Sequence, residues 1–291
     1  MKPILDKGTF GPWAVVTGSS SGIGRAIARH VAASGINVVL VARRVGRLEE
    51  VGRSLASEFG VAHRVVEADL SSPSFFAHVE RATGDLDVGL LVGNAGSPNA
   101  GELWTVHPDE LAKAIHLKVS ANLMLVHHFA RRLVARRSGG ILLVSSIGGL
   151  NGVPYVTNTA AVEAYVLTLG EGLHAELARH GVNVTVLMPG PTLTESMGKM
   201  GVDPSEMPMK PMSAERVAAE ALRALQRNRP THIAGRINRL VARLMPRSVA
   251  TRMMGALIGK KFAARALAAS GGTGDAWPDD GERTCRDAGL P

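Results

Sequence analysis

Residues 17–24 read T-G-S-S-S-G-I-G, and this stretch narrows the possible folds more than any other part of the chain. It follows a short apolar run, Trp13-Ala-Val-Val16, and opens onto Arg25-Ala-Ile-Ala-Arg-His-Val-Ala-Ala33, where apolar residues recur at helical spacing. A strand, a glycine-rich turn and a helix start, in that order, make a seat for a dinucleotide pyrophosphate. Backbone N–H groups freed at the helix N-terminus point outward, the helix dipole favours negative charge, and glycine lets a phosphate approach the main chain. Gly18, Gly22 and Gly24 supply that clearance, with Ser20, Ser21 and Ile23 between them. A serine-glycine loop without a ligand is the competing reading of these residues alone, and the segments that follow argue against it.

The chain has 291 residues, enough for one large α/β domain with a full core and an appendage. No window approaches the roughly 20 uninterrupted apolar residues that span a bilayer, and the N-terminus lacks the apolar core and cleavage site of a secretion signal. A single cysteine, Cys285, leaves neither a disulfide framework nor a cysteine metal site, and no metal is expected. These features predict a cytoplasmic protein. The net charge of +8 reflects 33 Lys and Arg against 25 acidic residues. With aromatic residues at only 4% and no recognition motif, a basic solvated surface explains that charge better than nucleic-acid binding does.

Strand and helix patterns alternate along the chain. Ile36-Asn-Val-Val-Leu-Val-Ala42 reads as a buried strand and runs straight into Arg43-Arg44. In a dinucleotide fold the end of this strand meets the adenosine ribose, where an acidic residue suits a 2′-hydroxyl and basic side chains suit a 2′-phosphate. NADPH is therefore expected over NADH, against the alternative of two exposed arginines at a strand end. Residues 61–67 form a third strand ending at Ala68-Asp69-Leu70, with Asp69 set to meet the adenine amino group, and residues 85–92 lead through a fourth to Gly93-Asn94-Ala95-Gly96. The spacing predicts one long helix over 108–137, a fifth strand over 140–146, a helix over 157–180 and a sixth strand over 182–188, stopped by Pro189-Gly190-Pro191. This alternation is that of a doubly wound parallel sheet with helices on both faces.

Residues 192–212, rich in Met, Pro, Gly and Lys, read as a mobile substrate-covering loop. A helix follows over 214–227 and a short last strand at His232-Ile-Ala234, closing a domain at about residue 235. Two basic apolar tracts over 236–268 read as C-terminal helices that pack on the domain or a partner, or else lie in a membrane interface. Residues 269–291 are polar, glycine-rich and expected to be disordered.

With these landmarks in order, the chain resembles the short-chain dehydrogenase/reductase family over residues 10–235. The matching motifs are T-G-S-S-S-G-I-G, Ala68-Asp69-Leu70, Asn94-Ala95-Gly96, the strand end Val144-Ser145-Ser146, and Pro189-Gly190 with Thr192. The resemblance implies a Rossmann-like parallel sheet of about seven strands with the nicotinamide at its C-terminal edge. It also implies that the segment from Pro189 to Thr192 holds the nicotinamide end. Family members commonly dimerise or tetramerise through two long helices, and the C-terminal helices could cover those faces here.

Family chemistry uses an Asn on the long helix, a Ser after the fifth strand, and Tyr and Lys spaced Y-x-x-x-K on the next helix. Tyr protonates the carbonyl as hydride arrives, while Lys binds the nicotinamide ribose and lowers the Tyr pKa. Carried over, Ser146 takes the Ser position, Thr159 stands in place of Tyr, Glu163 in place of Lys, and Lys118 in place of Asn. A threonine hydroxyl is too weak an acid to act as the phenol does. Tyr165 lies about 120° around the helix from Thr159 and is expected in the core or an interface. Tyr155 and Ser97 are expected at the substrate mouth. Lys118 and Glu163 should meet as an inverted ion pair, either only neutralising two buried charges or with Lys118 stabilising charge on the substrate oxygen.

Two functions follow. One is an atypical NADPH-dependent ketoreductase whose proton comes from an acidic hydroxyl of a small-molecule ketone or from water. On resemblance it is similar to the reductases that tailor polycyclic aromatic polyketides, such as angucyclinone ketoreductases. The other is a reductase-like fold that binds NADPH without chemistry, as a sensor or interaction partner.

Overall fold

The computed structural model describes residues 1–195, 197 and 210–270. Most of the expected substrate-covering loop, and the expected disordered tail from residue 271 on, lie outside the described residues. Seven strands form one parallel sheet: β1 Trp13–Thr17, β2 Asn37–Ala42, β3 His63–Glu67, β4 Val88–Gly93, β5 Gly139–Val144, β6 Val182–Met188 and, last in the chain, Thr231–Ile233. The spatial order is β3-β2-β1-β4-β5-β6 and then Thr231–Ile233, so the winding reverses between β1 and β4. In an open parallel sheet this reversal opens a crevice at the C-terminal strand ends, the usual place for a ligand.

The strands are Val/Leu runs because both faces are covered. Alternate residues go to opposite sides: Ala14, Val16, Val38, Leu40, Leu90 and Val92 join one apolar core, while Val15, Val39, Val41 and Leu91 join the other. The helices are α1 Lys7–Phe10, α2 Gly22–Ala33, α3 Val45–Phe59, α4 Phe75–Thr83, α5 Pro108–Ile115, α6 Ala121–Arg136, α7 Thr157–Ala178, α8 Ala214–Gln226, α9 Arg236–Leu244 and α10 Arg247–Ser270. α2, α3 and α8 contribute to the first core, and α4, α6 and α7 to the second. α8 begins where Ser213 accepts a hydrogen bond from the Arg216 N–H (3.3 Å), with Glu215 in its first turn facing the helix dipole.

The long helix expected over 108–137 is not uniform. A π turn over His116–Ser120 separates α5 from α6 and bulges at Lys118. The buried Asn122 side chain donates to the Lys118 carbonyl (2.6 Å), satisfying a backbone acceptor at the bulge. Helical spacing in the sequence does not register one extra residue in a turn. Beyond the last strand, α9 and α10 extend the domain; residues 236–270 hold no acidic side chain, and Ile237, Leu240 and Leu244 are exposed on α9. No helix among the described residues is long and apolar enough to cross a membrane.

Candidate active site

The crevice is pinned where β1 and β4 end. Thr17 Oγ1 donates to the Val92 carbonyl (3.2 Å) and accepts from the N–H groups of Asn94 (2.9 Å) and Ala95 (3.1 Å). The Asn94 side chain donates to the carbonyls of Thr17 (3.0 Å) and Gly18 (3.4 Å). Gly18 and Gly22 have φ of 65° and 55°, in the left-handed region that favours glycine. A Cβ at Gly24 would strike the Gly18 carbonyl and the Asn94 amide. The phosphate loop is thus locked to the loop after β4 by the Thr17 and Asn94 side chains, which leaves its N–H groups and the α2 N-terminus to face an anion. Ile23 packs on the core beneath.

At the adenosine side the two arginines separate. Arg44 lies along the phosphate loop, donating to Ser20 Oγ (3.1 Å) and Ser21 Oγ (3.0 Å), and pairs with Glu195 (2.9 Å). Arg43 is exposed on the same side and its charge acts on Asp69. Burial pushes the Asp69 carboxyl up, but hydrogen bonds from Ser71 and the positive charges of Arg43 and Lys113 outweigh it, so the group sits below the usual range. Asp69 lines a depression with Glu67, Ala68, Ser72, Phe75 and His78. Leu70 points into the core, which leaves only its backbone for the crevice.

At the opposite end, Pro189 is buried and its carbonyl accepts from the Ile147 N–H (3.1 Å), while Gly190 lies against the Asn238 side chain. Thr192 is buried and its hydroxyl is turned back onto the Gly190 carbonyl (2.9 Å). It is Thr194, two residues on, that meets the phosphate loop: a Cβ at Gly22 would lie 3.1 Å from its methyl group.

Around the expected catalytic positions the structure brings Ser146, Lys118 and Glu163 to the end of β5. Ser146 caps a short 3-10 turn, its Oγ accepting from the Gly148 N–H (3.1 Å). Lys118 is 4% exposed; its ammonium donates to the Val144 carbonyl (2.5 Å) and pairs with Glu163 Oε1 (3.2 Å). The Gly96 backbone passes close above, such that a Cβ there would lie 3.5 Å from Lys118 Nζ. The other oxygen, Glu163 Oε2, is buried without a hydrogen-bond partner. Burial pushes the Glu163 carboxyl above the usual range, and the Lys118 ammonium and Ser145 hydroxyl oppose this without cancelling it.

Thr159 does not share that cluster. Its hydroxyl donates to the carbonyl and side-chain oxygens of Asn99 (both 3.0 Å) and accepts from the Asn99 N–H (3.2 Å), tying α7 to the loop after β4. Asn99 was invisible as a partner in the sequence, sixty residues away. Tyr155 has φ of 65°, and its ring lies against Gly259 of α10. Ser97 is exposed on the loop after β4. Tyr165, expected in the core or an interface, is at the surface beside Ala161, Thr168 and Leu169, so the core alternative fails.

Residues 12–204 match the model of the short chain dehydrogenase family. The chain belongs to that family. A relative, the 7beta-hydroxysteroid dehydrogenase of Clostridium sardiniense, is 30% identical over 230 residues, covering 79% of this chain and 88% of its own. A solved structure of a 7beta-hydroxysteroid dehydrogenase aligns with a TM-score of 0.80 at 29% identity, over 86% of this chain and 98% of that one. A short-chain dehydrogenase from Sphingobium yanoikuyae in complex with NADPH aligns at 0.73 and 29% identity, over 94% and 100% of the two chains. The seven-stranded sheet is the family's Rossmann-like fold, and this short-chain dehydrogenase is an oxidoreductase.

The residues present fit a dinucleotide. Clearance at Gly18, Gly22 and Gly24 fits a pyrophosphate, and Arg44 with Ser20 and Ser21 supplies donors beside it. Ser19 Oγ in the loop and Glu163 Oε2 are buried polar atoms without protein partners, which a bound polar ligand would satisfy.

Proposed function

We propose that this short-chain dehydrogenase is an NADPH-dependent ketoreductase acting on a polycyclic aromatic, polyketide-type ketone, with the proton supplied by a substrate phenol or by water. The observation that carries this reading is Thr159: a weak acid, engaged in three hydrogen bonds with Asn99, with a glutamate rather than a lysine one turn further on. Such a hydroxyl holds its neighbour loop and has no partner that would help it give up a proton. When bound, NADPH supplies the hydride.

The residues divide the work. Gly18, Ser20, Ser21, Gly22, Ile23 and Gly24 form the pyrophosphate seat. Arg43 and Arg44 face the 2′-phosphate, and Asp69 with the Leu70 backbone bounds the adenine. Asn94, Ala95 and Gly96, with Pro189, Gly190 and Thr192, frame the nicotinamide end. Ser146 positions the carbonyl, Glu163 Oε2 accepts from a ribose hydroxyl, and Lys118 favours the charged form of that carboxyl against the burial that disfavours it, while adding positive potential beneath developing oxyanion charge. Tyr155 and Ser97 border the substrate mouth, narrowed by α10. Positioning alone supplies much of the acceleration once hydride donor and ketone are held together. The same reading puts the protein in the cytoplasm, in antibiotic assembly, and makes it a homo-oligomer through α6 and α7, where Leu123, Met124 and Tyr165 are exposed.

A second reading, a cofactor-binding protein without turnover, is favoured by the joint replacement at 159 and 163. Purified protein with NADPH and a panel of ketones separates them. Turnover of hydroxylated polycyclic ketones supports the reductase; tight NADPH binding with no oxidation across the panel supports the second reading. Normal reduction of simple ketones with none of phenolic ones sinks the substrate assignment. Thr159→Tyr with Glu163→Lys should lower the native activity, whereas an ordinary site would gain general activity from it.

A further inference from the structure

Glu195 has no part in the reading above, yet it sits on Arg44, one of the two arginines that reading assigns to the cofactor. Its carboxylate accepts from Arg44 Nη1 (2.9 Å) and also from Arg47, one turn into α3. Arg44 is oriented for this by Ser20 and Ser21, to which its other terminal nitrogen donates. Two guanidinium groups therefore converge on one acidic acceptor beside the phosphate loop, at the end of β2, and two serine hydroxyls accept from one of them and hold it in place. That donor set is what a phosphate monoester on a ribose would use. The interaction spans 151 residues of sequence, so it is a tertiary feature and not a local turn contact. The two arginines hold the Glu195 carboxyl below the usual range, Arg44 first and then Arg47, so it stays anionic at working pH.

We propose that Glu195 is a specificity-determining residue that competes with the cofactor's 2′-phosphate for Arg44 and Arg47. The proposal rests on the NADPH assignment. A 2′-phosphate carries more charge than a carboxylate and displaces it, but the displacement offsets part of the binding free energy, so Glu195 sets how tightly NADPH is held. A cofactor with a free 2′-hydroxyl does not need to displace Glu195 and is unaffected. Glu195 also lies three residues past Thr192, so the two ends of the cofactor are read by one short segment, 189–195.

All three groups are between 39% and 50% exposed in their side chains, which limits the effect. Calorimetric titration of the full chain with adenosine 2′,5′-bisphosphate and with adenosine 5′-monophosphate reads it without turnover. Glu195→Gln is expected to tighten the bisphosphate about 3- to 5-fold and to leave the monophosphate unchanged. Glu195→Asp should fall between, and Arg44→Ala should remove the preference for the bisphosphate. A wild-type preference that Glu195→Gln leaves unchanged or weakens overturns the competition and leaves the NADPH assignment standing. No preference in either protein overturns the NADPH assignment and the competition with it.

Discussion

The two ends of the crevice are built from different materials. The pyrophosphate end is largely main chain: Gly18, Gly22, Gly24 and the α2 N-terminus, fastened by the Thr17 and Asn94 side chains where strands β1 and β4 stop. The carbonyl end is side chain: Ser146, the Lys118–Glu163 pair and the Thr159–Asn99 clamp. Changing one of these side chains alters which groups meet the carbonyl, whereas changing one of these glycines forces the main chain that faces the phosphate to move. A fold can therefore keep its nucleotide seat while the groups that move protons are exchanged, and the difference is a test of which residues define the reaction.

The comparison breaks most visibly at the buried pair. Glu163→Leu leaves the Lys118 ammonium buried against a single carbonyl and is expected to cost about 3–5 kcal/mol in urea denaturation. Lys118→Met with Glu163→Leu should recover most of that loss, and a double variant as unstable as the single would deny that the two charges are coupled. Next in size, Gly24→Ala forces a Cβ onto the Gly18 carbonyl and Asn94. A stability loss of about 1–3 kcal/mol is expected, together with weaker binding of adenosine 2′,5′-bisphosphate in calorimetry. Thr159→Val removes the hydroxyl that joins α7 to Asn99 and should cost about 1–2 kcal/mol. NADPH-dependent turnover should fall by less than the roughly 100-fold expected from losing a general acid.

The smallest effect is in pH. Because burial raises the Glu163 carboxyl, between the ordinary value and its own the folded protein holds a proton that the unfolded chain has released. Its contribution to stability is complete below the ordinary value of 4.5 and is lost as pH rises toward the folded value. Glu163→Gln should remove that decline from stability measured against pH, and an unaltered slope would assign the decline to other groups.

Much of the nucleotide end was legible because its requirements are local: glycine at tight turns, a strand before and a helix after, Val/Leu runs for a sheet covered on both faces. The Lys118–Glu163 encounter was legible too, because family spacing fixes the register of two helices that face each other. The π turn at Lys118 was not, since it depends on Asn122 reaching back to a carbonyl inside the fold. Nor were Asn99 as the partner of Thr159, the choice of Thr194 over Thr192 at the phosphate loop, or Glu195 on Arg44 and Arg47. Each of these is a side-chain contact made across the tertiary structure, and no period in the sequence encodes it. Arg43 and Arg44 read alike in the sequence, but in the fold only Arg44 joins the loop serines, and its companion on Glu195 is Arg47.

The source of the proton separates this site from an ordinary one, and one matched pair of substrates measures it most directly. A polycyclic aromatic ketone bearing a phenol beside the carbonyl, and the same molecule with that phenol methylated, would be compared for NADPH oxidation under single-turnover conditions. A drop of about 100-fold or more on methylation is expected, with binding of the two ketones alike. Equal rates for both would contradict a substrate-supplied proton.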